Sequence, residues 1–163
     1  MTSNMNSSAT RRTKSFFNSA TSNAMLIFLL TTFLTIACTA ASCPGGGNIK
    51  GDVTIGQGNM ISPSACISAE SGPIIIGNRN IIEANVVIAN RRSRQTLVVG
   101  DDNLFRQGTV CEARRVGNRN ILGLRAYIGP DVTVDNNVVV GLECSIIKPG
   151  IIQQGTVIDV NKC

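Results

Sequence analysis

The sequence predicts an all-β solenoid, a parallel β-helix of about six coils. Three observations predict it. From Ile49 onward an apolar residue recurs every six positions. Aromatic residues are only 4% of the chain, with no Trp and a single Tyr, so the core must be layered from small and β-branched side chains. Gly is plentiful at 16 and Pro scarce at 5, the balance expected of many tight turns. A helix would repeat at about 3.6 residues and a coiled coil at about 3.5, and neither period is present.

The repeat runs through Ile49, Ile55, Ile61 and Ile67, then Ile76, Ile82 and Ile88, then Val99, Phe105 and Cys111. It continues as Val116, Leu122, Ile128, Val134, Val140, Ile146, Ile152 and Ile158. The register breaks by three extra residues before Ile76, five before Val99 and one missing before Val116. Three hexads make one triangular coil, so every third hexad should share a side. One side then carries Gly56, Gly77, Gly100 and Gly117 after its apolar residue, and Asn59, Asn80, Asn103 and Asn120 at the fifth place. The glycines are expected to allow a positive φ at a sharp corner. The asparagines are expected to stack as a hydrogen-bonded ladder. Because this pattern survives the insertions, the extra residues are expected to bulge as loops between sides. Another side offers Ala65, Val86, Thr109, Ala126 and Cys144 at its fifth place, all small enough for a narrow interior.

Each coil cannot bury its own apolar side, so stability is a sum over neighbouring coils, and both ends need cover. Inward positions such as Ile82 and Val140 should not accept a charge, whereas outward ones such as Asn118 should tolerate change. A partner or a further segment is expected beyond the last coil.

Composition excludes several functions. The chain contains no His, so it offers no His metal ligand, no His general base and no Ser-His or Cys-His pair. No cofactor and no metal site is expected. Asp101 and Asp102 read as solvated corner residues beside Arg79 and Arg119. The glycine corners are followed by no helix and no G-K-[ST], which removes a phosphate loop. Net charge is +5, with 15 Lys and Arg against 10 Asp and Glu. No aromatics are interleaved with the basic residues for base stacking, so nucleic acid is not expected as a partner. Tyr127 reads as an ordinary exposed corner residue. The six cysteines form no C-x-x-C pair. Cys111 and Cys144 fall at inward positions, which favours free thiols and a reducing compartment.

The polar segment Met1 to Asn23 reads as disordered. Ala24 to Ala41 is an uncharged apolar run that has two readings. It is a signal or membrane anchor, or its second half belongs to the folded domain and covers the first coil. No Asn-x-Ser/Thr site follows Ser42, which weighs against secretion. A cytosolic body is the expectation, with a secretory or membrane-tethered chain as the alternative.

One corner carries a cluster of arginines. The fourth places of the first side are Asp52, Glu70, Arg91, Arg114 and Asp131, which stacking brings into one column. Arg92 and Arg115 fall side by side at the fifth place, and Arg94 lies on the following short loop. Glu70 and Asp131 can pair internally with Arg91 and Arg114. Five arginines against two carboxylates leave surplus positive charge. These five, Arg91, Arg92, Arg94, Arg114 and Arg115, are the candidate partner interface, suited to an acidic surface.

The stretches GDVTIGQGNMISPSACISAESGPIIIGNRNIIEANVVI, LVVGDDNLFRQGTVCEARRVGNRNILGLRAYIG and VVVGLECSI resemble the dynactin subunit 6 family. IACTAASC, Ile36 to Cys43, is similar to that family's first coil. The resemblance implies a left-handed parallel β-helix over 36–163, after a polar N-terminus and apolar run over 1–35. It implies a non-catalytic structural subunit of the dynactin complex, cytoplasmic and cytoskeletal. The implied partners are dynactin subunit 5, the other pointed-end subunits and the end of the actin-related filament. The implied role is support of dynein-based transport on microtubules and cargo attachment, with membranes reached only through cargo. The chain departs from the family in a shortened loop at about Asn90 to Thr96, in its N-terminal run, and in lacking the family's C-terminal helix after Cys163. The same fold hosts γ-class carbonic anhydrases and acyltransferases. Both typically depend on histidine, which this chain lacks.

Overall fold

The computed structural model describes residues 48–160 and 163. The polar segment, the apolar run and any cover they give the first coil lie outside the described residues.

The described residues form stacked short strands, all paired in parallel. One side is a sheet of six two-residue strands: Met60–Ile61, Ile81–Ile82, Leu104–Phe105, Ile121–Leu122, Val139–Val140 and Val157–Ile158. The other two sides merge into one sheet of ten because strand Cys66–Ile76 runs on from one side to the next. Register aligns Ile61, Ile82, Phe105, Leu122, Val140 and Ile158 on the first of these sides. It aligns Ile67, Ile88, Cys111, Ile128 and Ile146 on the second. Ile55, Ile76, Val99, Val116, Val134 and Ile152 align on the third. Every third hexad therefore shares a side, as the period of six requires, and six coils result.

Among the described residues these inward side chains form the main core, with Phe105 the largest fully buried, and Cys66, Val87 and Ala89 form a second, smaller buried cluster. Ala65, Val86, Thr109, Ala126 and Cys144 are all buried beside the main core. Thr109 satisfies its hydroxyl there, donating to the carbonyls of Arg106 and Gly123 at 2.7 and 2.8 Å. Ile49 is exposed, with a strand neighbour described only on the Ile67 side.

The first insertion does not bulge as a loop. Register passes from Gly51 opposite Ala69 to Val53 opposite Ile74, so Asp52 alone faces Glu70 to Pro73 within continuous strand. The longer insertion does form a loop, between Val87–Ala89 and Leu97–Val99.

The expected asparagine column is a hydrogen-bonded ladder. Asn80 Nδ2 donates to Asn59 Oδ1 at 3.0 Å and to the Gly100 carbonyl at 2.9 Å. Asn103 repeats this with Asn80 Oδ1 at 3.0 Å and the Gly117 carbonyl at 2.9 Å. Each Oδ1 also accepts a backbone N–H from the next coil, as Asn103 Oδ1 does from Asn120 at 2.9 Å. At the end of the row Asn120 Nδ2 is buried with no hydrogen-bond partner among the described residues.

The glycine expectation needs correction. Positive φ falls two residues later, at Gly58, Arg79, Asp102, Arg119, Asn137 and Gly155. Gly56, Gly77, Gly100 and Gly117 are needed for close approach instead: a Cβ on Gly56 would lie 2.6 Å from the Gly77 carbonyl oxygen. The space they leave holds a second ladder that the sequence reading missed. Asn78 Oδ1 accepts Gln57 N–H, Asp101 Oδ1 accepts Asn78 N–H, Asn118 Oδ1 accepts Asp101 N–H and Asn136 Oδ1 accepts Asn118 N–H, at 2.6–2.8 Å. Asp101 is thus a half-buried ladder member and not a solvated corner. Asp102 does stand at the corner, with Arg79 reaching its two oxygens at 2.7 and 2.8 Å. The hydrogen bond from Arg79 holds the Asp102 carboxyl below its ordinary pKa.

The cysteine expectation holds for Cys111 and fails for Cys144. Cys111 is free and buried, and burial pushes its thiol up to about 12. Cys144 is joined to Cys163 by a disulfide, with Cα atoms 5.3 Å apart, and Cys66 is also disulfide-bonded.

Candidate partner interface

The loop of residues 90–96 is anchored by its first residue. Asn90 is buried, and its Nδ2 donates to the carbonyls of Pro73 at 3.1 Å and Gln95 at 2.8 Å. Gly72 lets the loop lie against the bulge, since a Cβ there would sit 2.6 Å from the Ser93 carbonyl oxygen. This fastening fixes where the arginines point.

Arg91 lies between two carboxylates, Glu70 at 3.3 Å below and Glu112 at 2.9 Å above. Burial opposes its charge, but the hydrogen bonds to Glu112 and Glu70 outweigh that and raise its pKa above the ordinary arginine value. Glu112 is nearly enclosed and also accepts the Tyr127 hydroxyl at 3.0 Å. Tyr127 is accordingly a half-buried strand residue, not an exposed corner, and its pKa is raised by burial and by Glu112. Glu112 occupies a second place in its hexad, so the column rule that brought in Glu70 and Asp131 passed over it.

Arg114 reaches Asp131 at 3.5 Å. Arg92, Arg94 and Arg114 line one open concavity of about 300 Å³ with Ser93, Gln95, Pro130 and Asp131. No carboxylate lies within ion-pair distance of Arg92 or Arg94 among the described residues. The structure therefore brings four of the five arginines to one corner.

Arg115 is not among them. It lies in strand Arg115–Val116, opposite Val98 and Thr133, and does not stand beside Arg92. The residue missing before Val116 is the reason: it makes Arg115 the outward residue of the next side. With Arg91 paired twice and Arg114 once, the surplus charge narrows to Arg92 and Arg94 at this corner, plus Arg115 around it.

Among the described residues no three of Cys, Asp and Glu come together as a metal site. No described helix is long and apolar enough to cross a membrane.

No family model matches the chain. Curated relatives do. The chain is 35% identical over 125 residues to dynactin subunit 6 of Nematostella vectensis, covering 71% of this chain and 68% of that protein. It is 35% identical over 127 residues to dynactin subunit 6 of Danio rerio, covering 71% of this chain and 65% of that one. It is 32% identical over 112 residues to dynactin subunit 6 of Dictyostelium discoideum, covering 68% of this chain and 59% of that one. The chain thus spans about two thirds or less of the curated relatives it matches. A repeat of six that stacks in register, with relatives this similar across animals and an amoeba, places the chain in the dynactin subunit 6 family.

Proposed function

We propose that this chain is a non-catalytic structural subunit of dynactin, seated among the pointed-end subunits and pairing with dynactin subunit 5 near the end of the actin-related filament. Through that assembly it supports dynein-based transport on microtubules and cargo attachment. The observation that carries this reading is the similarity to the dynactin subunit 6 proteins along the solenoid. The absence of any histidine supports the non-catalytic part, because the enzymes of this architecture take their metal ligands or base from that residue. The location that follows is the cytoplasm and its cytoskeleton, a reading that rests on the family and not on the cysteines.

The corner lined by Arg92, Arg94 and Arg114 is the surface we assign to an acidic neighbour in that assembly, Arg91 being committed to Glu70 and Glu112. The experiment is co-purification of the tagged full chain with dynactin subunit 5. The parent should bring down the pointed-end subunits. A chain with Arg92→Glu, Arg94→Glu and Arg114→Glu should lose them at a salt concentration the parent withstands, with an unchanged melt. Capture of no dynactin subunit by the parent overturns the assignment to dynactin, and parental salt tolerance in the triple variant overturns the corner. Stoichiometric zinc or CO2 hydration by the purified chain would overturn the non-catalytic reading.

A further inference from the structure

The outward face of the six-stranded side is apolar from end to end. Register places Met60, Ile81, Leu104, Ile121, Val139 and Val157 in one column pointing away from the core. Met60 and Val157 are 66% and 61% exposed, and Ile81 and Ile121 are 41% exposed. At about 4.8 Å per coil this stripe is about 24 Å long. The equivalent outward column of the neighbouring side is broken by Arg115 and Thr133. Single exposed apolar residues are ordinary on a protein surface, but a continuous column of six is an interaction surface.

We infer that a second copy of this chain packs on this face, the two solenoids side by side and parallel, related by a two-fold axis along their length. The borders of the stripe carry the argument. In the second coil Arg79 stands on one border and Glu83 on the other. In the third coil the signs reverse, with Asp102 beside Arg79 and Arg106 beside Glu83, at 2.7 and 3.5 Å. Beyond these coils the first border carries Arg119 and Asn137 and the second Gly123 and Gly141, while the next corner exposes Leu124, Leu142 and Val160 beside the Arg125–Glu143 ion pair.

A two-fold along the solenoid sets each coil against itself and exchanges the borders. Arg79 then meets Glu83 of the second copy, Asp102 meets Arg106 of the second copy, and the exposed Ile121 and Val157 meet their own counterparts. Turning one solenoid end for end over the same length sets Arg79, Glu83 and Arg106 against Asn137, Gly141 and Gly123, and brings only Asp102 to an opposite charge across the interface, Arg119. The face is thus complementary to itself in the parallel sense. The inference stands apart from the dynactin assignment, which uses a different surface.

The test is the mass of the purified full chain in solution by sedimentation, with melts run in parallel. The parent should sediment as a dimer. A chain with Ile121→Glu and Val157→Glu should sediment at half that mass with an unchanged melt. If that variant melts lower, Met60→Glu with Ile81→Glu provides the same readout at the other end. Orientation is read with a short thiol cross-linker against the parent as background. Ile121→Cys should cross-link to itself, and a mixture of Met60→Cys and Val157→Cys chains should give no mixed product. A monomeric parent overturns the inference, as does association that survives both glutamate pairs. A mixed 60–157 product overturns the parallel arrangement.

Discussion

Asn103 joins three coils through one amide. Its Nδ2 donates to Asn80 Oδ1 at 3.0 Å, while its Oδ1 accepts the Asn120 N–H at 2.9 Å. Both contacts are buried, and a solenoid held by neighbour-to-neighbour terms feels such a link along its whole length. Asn103→Ala should lower unfolding free energy by about 2–4 kcal/mol, because the carbonyl of Gly117 and the N–H of Asn120 are left unpaired inside. Asn59→Ala, in the half-exposed first rung, should cost less. Urea unfolding of both variants checks the order.

Ile82 and Ile81 are neighbours in one strand with opposite fates. Ile82 is buried and Ile81 is exposed. Ile82→Asp should prevent soluble folding, as should Val140→Asp, because an unpaired buried charge costs several kcal/mol. Ile81→Asp should leave a folded chain. Expression with circular dichroism reads the contrast, and a folded Ile82→Asp would refute the register.

Asn118 looks like a free outward position in the sequence, but its Oδ1 accepts the Asp101 N–H at 2.7 Å. Asn118→Ser should therefore destabilise by about 1 kcal/mol, the size of one hydrogen bond on a partly wet surface. A melt identical to the parent would count against the second ladder.

Arg91 and Arg92 are adjacent arginines with unlike surroundings. Removing Arg91 leaves Glu112 enclosed without its cation, whereas Arg92 lines an open concavity. Arg91→Ala should cost about 1–2 kcal/mol, the partial exposure of the arginine keeping the figure low. Arg92→Ala should fall within about 0.5 kcal/mol of the parent. Chemical denaturation of the two variants separates them.

Cys111 has its thiol pushed up to about 12 by full burial, so almost no thiolate exists at neutral pH. A raised pKa favours the protonated thiol in the folded chain. Its contribution to stability is present below the ordinary thiol pKa and is lost as pH rises toward that of the folded state. Alkylation of Cys111 at pH 8 should proceed only at the rate of unfolding, and mass spectrometry of the modified peptide follows it.

Cys144 and Cys163 close a loop of 19 residues in sequence separation. Constraining the unfolded chain over that length is worth roughly 3 kcal/mol. Cys163→Ser should lower stability by up to that amount and loosen the last coil first, which hydrogen exchange at Val157 and Ile158 would report.

The sequence by itself determined the solenoid, its register and the asparagine column. A period of six broken at only three points leaves one way to stack every third hexad, and Asn59, Asn80, Asn103 and Asn120 carry their own spacing. It also brought Glu70 to Arg91 and Asp131 to Arg114, because stacking turns equal hexad places into contacts. What it left open depends on atoms that come near one another only after the coils close. Glu112 joins Arg91 from a different hexad place, and the missing residue before Val116 turns Arg115 onto another side. The glycines are set by the approach of the next coil's carbonyl and side-chain oxygens and not by their own φ. Cys144 and Cys163 lie 19 residues apart in sequence and meet only in the folded chain. The apolar stripe from Met60 to Val157 was present in every third hexad, one place before the inward residue. Its meaning came with the fold: inward and outward isoleucines are the same letter until the sheet has two faces.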